Sequence, residues 1–264
     1  FAQNYKFIRK IGNFDESSSF SINSAKIIYV SDVGNMEILK MDTLGTQLKM
    51  IGGFGWEEST FDEPIDIFST PLNVYVSDKN NNRIQIFDKD LNYLSKFTTR
   101  ENENSDYQFA YPTSCATSNM GDLYILDSDN SRILKYDLSG KFLLEIGNID
   151  AGDFALDNPD RFAISMDNKI FVTDDDYIKV FDQYGNSLIK IKTLLNDANI
   201  NIRFNYMTVN DDEKIKIFNL YNPDKKYALF ESPDLNEGIV ESTIVNQKLY
   251  VLTNSCIYIY QIIP

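Results

Sequence analysis

One five-residue pattern, an apolar-aromatic-apolar run ending in a small residue and an acid, returns along this chain at near-constant spacing. It limits what the chain can fold into more than any other feature. Ile28-Tyr29-Val30-Ser31-Asp32 recurs as Val74-Tyr75-Val76-Ser77-Asp78, Leu123-Tyr124-Ile125-Leu126-Asp127 and Ile170-Phe171-Val172-Thr173-Asp174. Weaker copies stand at Ile215-Lys216-Ile217-Phe218-Asn219 and Leu249-Tyr250-Val251-Leu252-Thr253, and the last residues of successive copies lie 46, 49, 47, 45 and 34 positions apart. A repeat of this period marks a supersecondary unit that buries its apolar faces only against its neighbours.

Each copy sits among other short alternating runs. An inner strand precedes it, as in Pro64-Ile65-Asp66-Ile67-Phe68. A polar turn and a second alternating run follow, as in Arg83-Ile84-Gln85-Ile86-Phe87-Asp88, and then a third, as in Lys141-Phe142-Leu143-Leu144-Glu145-Ile146. β-Branched and aromatic residues at period two, bounded by Asn, Asp and Gly, predict antiparallel strands. Four strands per unit and six units predict an all-β, six-bladed β-propeller. At the N-terminus, Phe7-Ile8-Arg9-Lys10-Ile11-Gly12 matches an outer strand with no blade before it, while the last blade stops short of an outer strand after Ile257-Tyr258-Ile259-Tyr260. Residues 1–12 are therefore expected to complete the last blade and close the ring, making 1–264 one domain. The short final spacing predicts a reduced outer strand in blade five, around Ala228-Leu229-Phe230.

The pattern Asp-x-x-Asn-x-Arg-Ile-x-x-Phe/Tyr-Asp resembles the NHL repeat. Blade two carries it most fully, with Phe61-Asp62-Glu63-Pro64, then Asp78, Asn81, Arg83 and Asp88; blade three follows with Phe109, Pro112, Asp127, Asn130, Arg132 and Asp137. Blade one keeps Asp32 but has Glu37 in place of the arginine, and blade four keeps Asp174 and lacks the arginine. Asp78 with Arg83, and Asp127 with Arg132, are expected to pin a tight turn by a charge-assisted hydrogen bond, a structural role that explains their recurrence. The resemblance implies a bacterial propeller acting as an interaction module, exported to the periplasm, outer envelope or medium. Phe61 and Phe109 are expected to fill the gaps between blades.

The function classes left open are narrowed by charge. With 25 basic against 39 acidic residues and no histidine, the chain carries a net charge of −14. Nucleic acid is excluded as a partner, as are His-dependent triads and His-ligated zinc. Two cysteines, Cys115 and Cys256, form no redox or metal motif and are placed on opposite sides of the ring, too far apart to bond. The aromatic residues Phe54, Trp56, Tyr107 and Tyr111 lie on two long polar loops and are read as contacts for a protein partner, as interfaces favour such side chains. The expected function is a non-catalytic interaction or scaffold module with no catalytic residue and no cofactor, reaching a membrane only peripherally through a partner. The alternative is a calcium-dependent hydrolase, lactonase-like, with its site in the propeller funnel. Asp66, Asp160 and Glu241 are its candidate ligands, within a wider set of inner-strand polar residues that includes Asn23, Ser114 and Asn205.

Overall fold

The computed structural model describes residues 4–101, 107–195, 197–221, 227–231 and 235–263. Its first strand, β1 (Asn4–Ile11), belongs to the last sheet in the ring. Blade one is β2 (Ser17–Ile22), β3 (Ile28–Asp32), β4 (Glu37–Met41) and β5 (Gln47–Gly52), and blade two is β6 (Pro64–Ser69), β7 (Asn73–Asp78), β8 (Arg83–Asp88) and β9 (Tyr93–Phe97). Blade three holds β10 (Pro112–Thr117), β11 (Leu123–Asp127), β12 (Arg132–Tyr136) and β13 (Phe142–Ile146); blade four holds β14 (Pro159–Ile164), β15 (Ile170–Asp174), β16 (Tyr177–Phe181) and β17 (Ser187–Lys192). Blade five is β18 (Asn199–Arg203), β19 (Tyr206–Asn210), β20 (Ile215–Asn219) and the three-residue β21 (Ala228–Phe230). Blade six is β22 (Ile239–Val245), β23 (Lys248–Thr253) and β24 (Ile257–Ile263), with β1 paired antiparallel on its outer edge from Asn4↔Ile263 to Ile11↔Ile257. The six-bladed ring closed by its N-terminal strand is as the repeat predicts, down to the shortened outer strand of blade five. Among the described residues no helix is long and apolar enough to cross a membrane.

The core is divided. Six apolar clusters among the described residues each sit between two adjacent blades, because a blade's two faces carry the alternate residues of its strands. Between blades one and two, Tyr29 and Ile38 meet Val74, Val76 and Phe87 with Phe61 wedged among them; between two and three, Ile84 meets Ile125, Leu134 and Phe109. Phe61 and Phe109 do fill the gaps between blades. The closure interface has the same make-up as the others, with Ile11 packed on Val30, Leu39, Ile257 and Ile259.

The repeated acid does more than pin a turn. Arg83 Nε donates to Asp78 at 2.7 Å and Arg132 Nε to Asp127 at 2.9 Å, as the spacing predicts. Each acid also accepts backbone N–H groups from the loop entering its own blade: Asp15 and Glu16 on Asp32, Asp62 on Asp78, Ala110 on Asp127, and Asp157 and Asn158 on Asp174. A buried carboxylate with this many donors holds the incoming chain against the sheet. Blade four, which lacks the arginine, supplies Lys179 instead, whose ammonium pairs with Asp174. Cys115 lies in β10 of blade three and Cys256 in the turn before β24 of blade six; both are buried and free.

Candidate functional site

Five of the six inner strands begin with a β-bulge, and the residue just past it is Ser19, Asp66, Ser114, Arg161 or Glu241. A bulge re-aims the side chain that follows it. With Asn201 of β18, these residues surround the central channel, and Asp66, Ser114, Arg161, Asn201 and Glu241 line a funnel of about 650 Å³. The funnel widens toward the turns that leave the inner strands, around Ser24, Leu72, Ser118, Met166 and Phe204. Its floor is closed by Arg161. From blade four, the guanidinium donates to the carbonyls of Thr113 at 2.6 Å, Ile65 at 3.0 Å and Ser18 at 3.4 Å, and it pairs with Asp66 at 3.1 Å. One side chain thus bridges to blades one, two and three across the axis.

The two carboxylates on this floor are joined through a hydroxyl. Ser19 Oγ lies 2.9 Å from Asp66 Oδ1 and 3.0 Å from Glu241 Oε2, while Phe20 N–H donates to Glu241 Oε2 and Asn201 Nδ2 to Oε1. Thr243 in turn donates to Asn201 Oδ1 at 2.8 Å, which fixes the amide's orientation. A serine has one proton to give, so it cannot donate to both carboxylates at once. With Glu241 protonated every contact is satisfied: Glu241 donates to Ser19, and Ser19 donates to Asp66. Burial, and then the negative charge of Asp66, push Glu241 up from 4.5 to about 7, against the opposing pull of Phe20 N–H and Arg161. A carboxyl group that exchanges its proton near neutrality, in a cleft open to small molecules, is suited to general acid–base work.

The same geometry argues against a calcium ion among these groups. Both oxygens of Asp66 and both of Glu241 already accept hydrogen bonds, Asp66 Oδ2 from Cys115 N–H at 2.9 Å. The positive charge between the inner strands is the Arg161 guanidinium, bound to three backbone carbonyls that a hard cation would otherwise use. Among the described residues no three Cys, Asp or Glu side chains are grouped so that they could together hold a metal ion. Asp160, expected to join Asp66 and Glu241, is turned away by its place in the β14 bulge. Its neighbours are Asp174, Asp175 and Asp197, and burial with their charge raises it to about 6. Asn23 and Asn205 fall in the turns after the inner strands, not within them. Cys115 lines the funnel, but burial drives its thiol far up, so it stays protonated and is a poor nucleophile.

Ser19, Arg161 and Asn201 are the site residues that sequence reasoning missed. Aligning the inner strands on Pro64, Pro112 and Pro159 places Asp66, Ser114 and Arg161 in one column, a signal available without the structure. The expected partner contacts lie elsewhere. Phe54 and Trp56 are 64% and 68% exposed and meet edge to face at 5.6 Å, on the loop whose backbone Arg83 holds through Trp56 O, Glu57 O and Thr60 O. Tyr107 stacks on Phe142 at 4.3 Å, and Tyr111 is exposed where the loop enters β10; residues 102–106 of that loop lie outside the described residues. These aromatics occupy the face that carries the Asp-motif turns, opposite the funnel mouth.

The fold and site together define a six-bladed β-propeller whose channel floor holds a hydrogen-bonded network of Ser19, Asp66, Arg161, Asn201 and Glu241. No family model matches the chain. It is 33% identical over 144 residues to protein brain tumor of Drosophila melanogaster, an NHL-repeat protein, a match that takes in 53% of this chain and 13% of that much longer protein. Among solved structures, a streptogramin B lyase aligns with TM-score 0.66 at 11% identity over 98% of both chains. A catalytically inactive virginiamycin B lyase from Staphylococcus aureus with quinupristin aligns equally well, covering 98% of this chain and all of that one. A gluconolactonase from Xanthomonas campestris aligns with TM-score 0.67 at 10% identity, over 96% of this chain and 88% of the other. At these identities the shared property is the fold. These similar propellers are enzymes, which counts against the expected non-catalytic scaffold and favours its alternative, a site in the funnel.

Proposed function

We propose that this protein is an enzyme whose site is the floor of the propeller funnel, and that it hydrolyses an ester or lactone without a metal among its floor residues. The observation that carries this is Glu241, only 6% exposed, lining the funnel and holding its proton near pH 7. Deprotonated Glu241 takes a proton from a water in the funnel as that water's oxygen attacks the substrate carbonyl. The acid so formed then protonates the departing alkoxide, so the C–O bond breaks and Glu241 returns to its starting state. General base catalysis of this kind contributes about 10²–10⁴-fold. Asp66 and Ser19 position Glu241, and Arg161 fixes Asp66. The shared fold with a gluconolactonase supports the choice of substrate class. A bacterial source and an extracytoplasmic setting belong to the same proposal; the bacterial organisms of two of the similar enzymes accord with the first. We also assign the exposed Phe54–Trp56 pair to a protein contact on the far face, separate from catalysis.

The test is a panel of aliphatic and aromatic esters and five- and six-membered lactones, with chelator present throughout. Turnover by the wild type, rising with pH to a plateau above about 7 and falling at least 100-fold in Glu241→Gln, supports the assignment. Trp56→Ala should leave that turnover unchanged. No turnover of any member, or equal turnover by the glutamine variant, overturns it.

A further inference from the structure

Arg203 is out of place for a chain this acidic. Of the six arginines, Arg83, Arg132 and Arg161 are ion-paired, and Arg9 and Arg100 are exposed on the outer surface. Arg203, the last residue of β18, lines the funnel, yet among the described residues it has no carboxylate partner, and its Nε is buried without a hydrogen-bond acceptor. Burial alone pulls its pKa down, with no acid to oppose it. Its guanidinium lies 5.4 Å from the ring of Phe204, which is held at φ +53°, a left-handed conformation that a bulky side chain rarely adopts. The strained two-residue turn of Phe204 and Asn205 thereby presents an aromatic ring and a cation together at the funnel mouth.

Position along the strand relates this cation to the floor. Asn199 and Asn201 both reach blade six, Asn199 through Val240 O and Asn201 through Glu241, and Arg203 follows at the same period of two. Its Cα therefore lies about 7 Å along β18 from that of Asn201, on the mouth side of the floor network. Around it the mouth carries exposed apolar side chains beside polar ones such as Ser24 and Ser118: Leu72, Leu138, Met166 and Phe204, from blades two to five, are exposed and line the funnel. Exposed apolar side chains gathered at one cleft mark a binding surface.

We propose that Arg203 is the recognition site for a carboxylate, so that the funnel takes a small molecule with an apolar body and one carboxylate group. Guanidinium and carboxylate match as a two-pronged pair, and drawing Arg203 toward such a ligand would also give its Nε the acceptor it lacks. The proposal rests on the reading of the funnel as a substrate site, and it identifies the substrate as an ester or lactone that also carries a free carboxylate.

Binding separates this claim from catalysis. Titration calorimetry with 2-naphthoate and with neutral 2-naphthamide, two probes of the same shape, needs no turnover. The expected result is one naphthoate per protein, bound at least 10-fold more tightly than the amide. Arg203→Gln should lose at least 10-fold for naphthoate and nothing for the amide, Arg203→Lys should keep part of the discrimination, and Glu241→Gln should keep all of it. Equal affinity for the two probes, no naphthoate binding, or an Arg203→Gln variant of wild-type melting temperature that still prefers naphthoate overturns the anion site. If the ester panel is nevertheless turned over, the catalytic assignment stands without it.

Discussion

Replacing Glu241 with glutamine should change how the stability of this protein depends on pH, by an amount the structure sets. Glu241 binds its proton more tightly in the native state, at about 7, than in an unfolded chain, at 4.5. Between those values the folded protein holds the extra proton, so stability falls as pH rises. The contribution is fully present below about 4.5 and gone above about 7, and the rise corresponds to about 3 kcal/mol. In Glu241→Gln this component is absent. The amide cannot meet Asn201 Nδ2 and Phe20 N–H both as acceptor, so the variant carries a constant penalty of roughly 1–3 kcal/mol for one mispaired donor. The reading is therefore the difference between the two stability curves, which also cancels the parallel contribution of Asp160. Thermal melts followed by far-ultraviolet circular dichroism at pH 5, 6, 7 and 8 measure it; Trp56 is too exposed to report unfolding well. The variant should be the less stable protein at pH 5 and gain on the wild type by about 3 kcal/mol by pH 8, on the order of 5–10 °C in relative melting temperature. Two curves parallel across this range would refute the argument that Glu241 is held protonated by burial and by Asp66.

Other consequences are simpler to read. Deleting residues through Gly12 removes β1 and opens the blade-six edge; stability should drop by several times the roughly 1 kcal/mol of an ordinary substitution, with association on size-exclusion chromatography. Arg161→Met removes the cation that lowers Glu241, so the pH at which activity appears should move upward in the kinetic profile. Arg83→Met leaves Asp78 buried without its partner and frees the Trp56 loop, and should cost about 3–5 kcal/mol by urea unfolding, with new protease cleavage between Gly53 and Glu58. Both thiols should resist a disulfide reagent in the native protein and react as two per chain once it is denatured.

The architecture was legible because everything that specifies a blade is local. Strand alternation, the Asn/Asp/Gly turns and the Asp-to-Arg spacing all act within about 50 residues, and the missing outer strand at one end matched the surplus strand at the other. Where a local device was replaced, the pattern lost sight of it: blade four's turn is shorter, so Lys179 reaches Asp174 from a different place on its strand than Arg83 or Arg132 does. Its presence five residues after the acid was visible, but its role depended on how the turn folds. The aromatic loops drew attention by composition alone. They proved to be on the face away from the funnel, because loop position follows strand direction and the cavity follows the flare of the inner strands.

What the sequence by itself determined is the fold: a six-unit β repeat whose two chain ends complete one blade. Only the tertiary structure decided the site. The column after Pro64, Pro112 and Pro159 groups Asp66, Ser114 and Arg161, but Ser19 and Glu241 are 222 residues apart and nothing in the sequence joins them, or Asn201, to that column. Ring closure brings them within hydrogen-bond distance. Exclusion of water then makes Asp66 raise Glu241 and makes Arg161 the counter-charge of Asp66, because charge interactions depend on separation and burial, which one-dimensional spacing does not record.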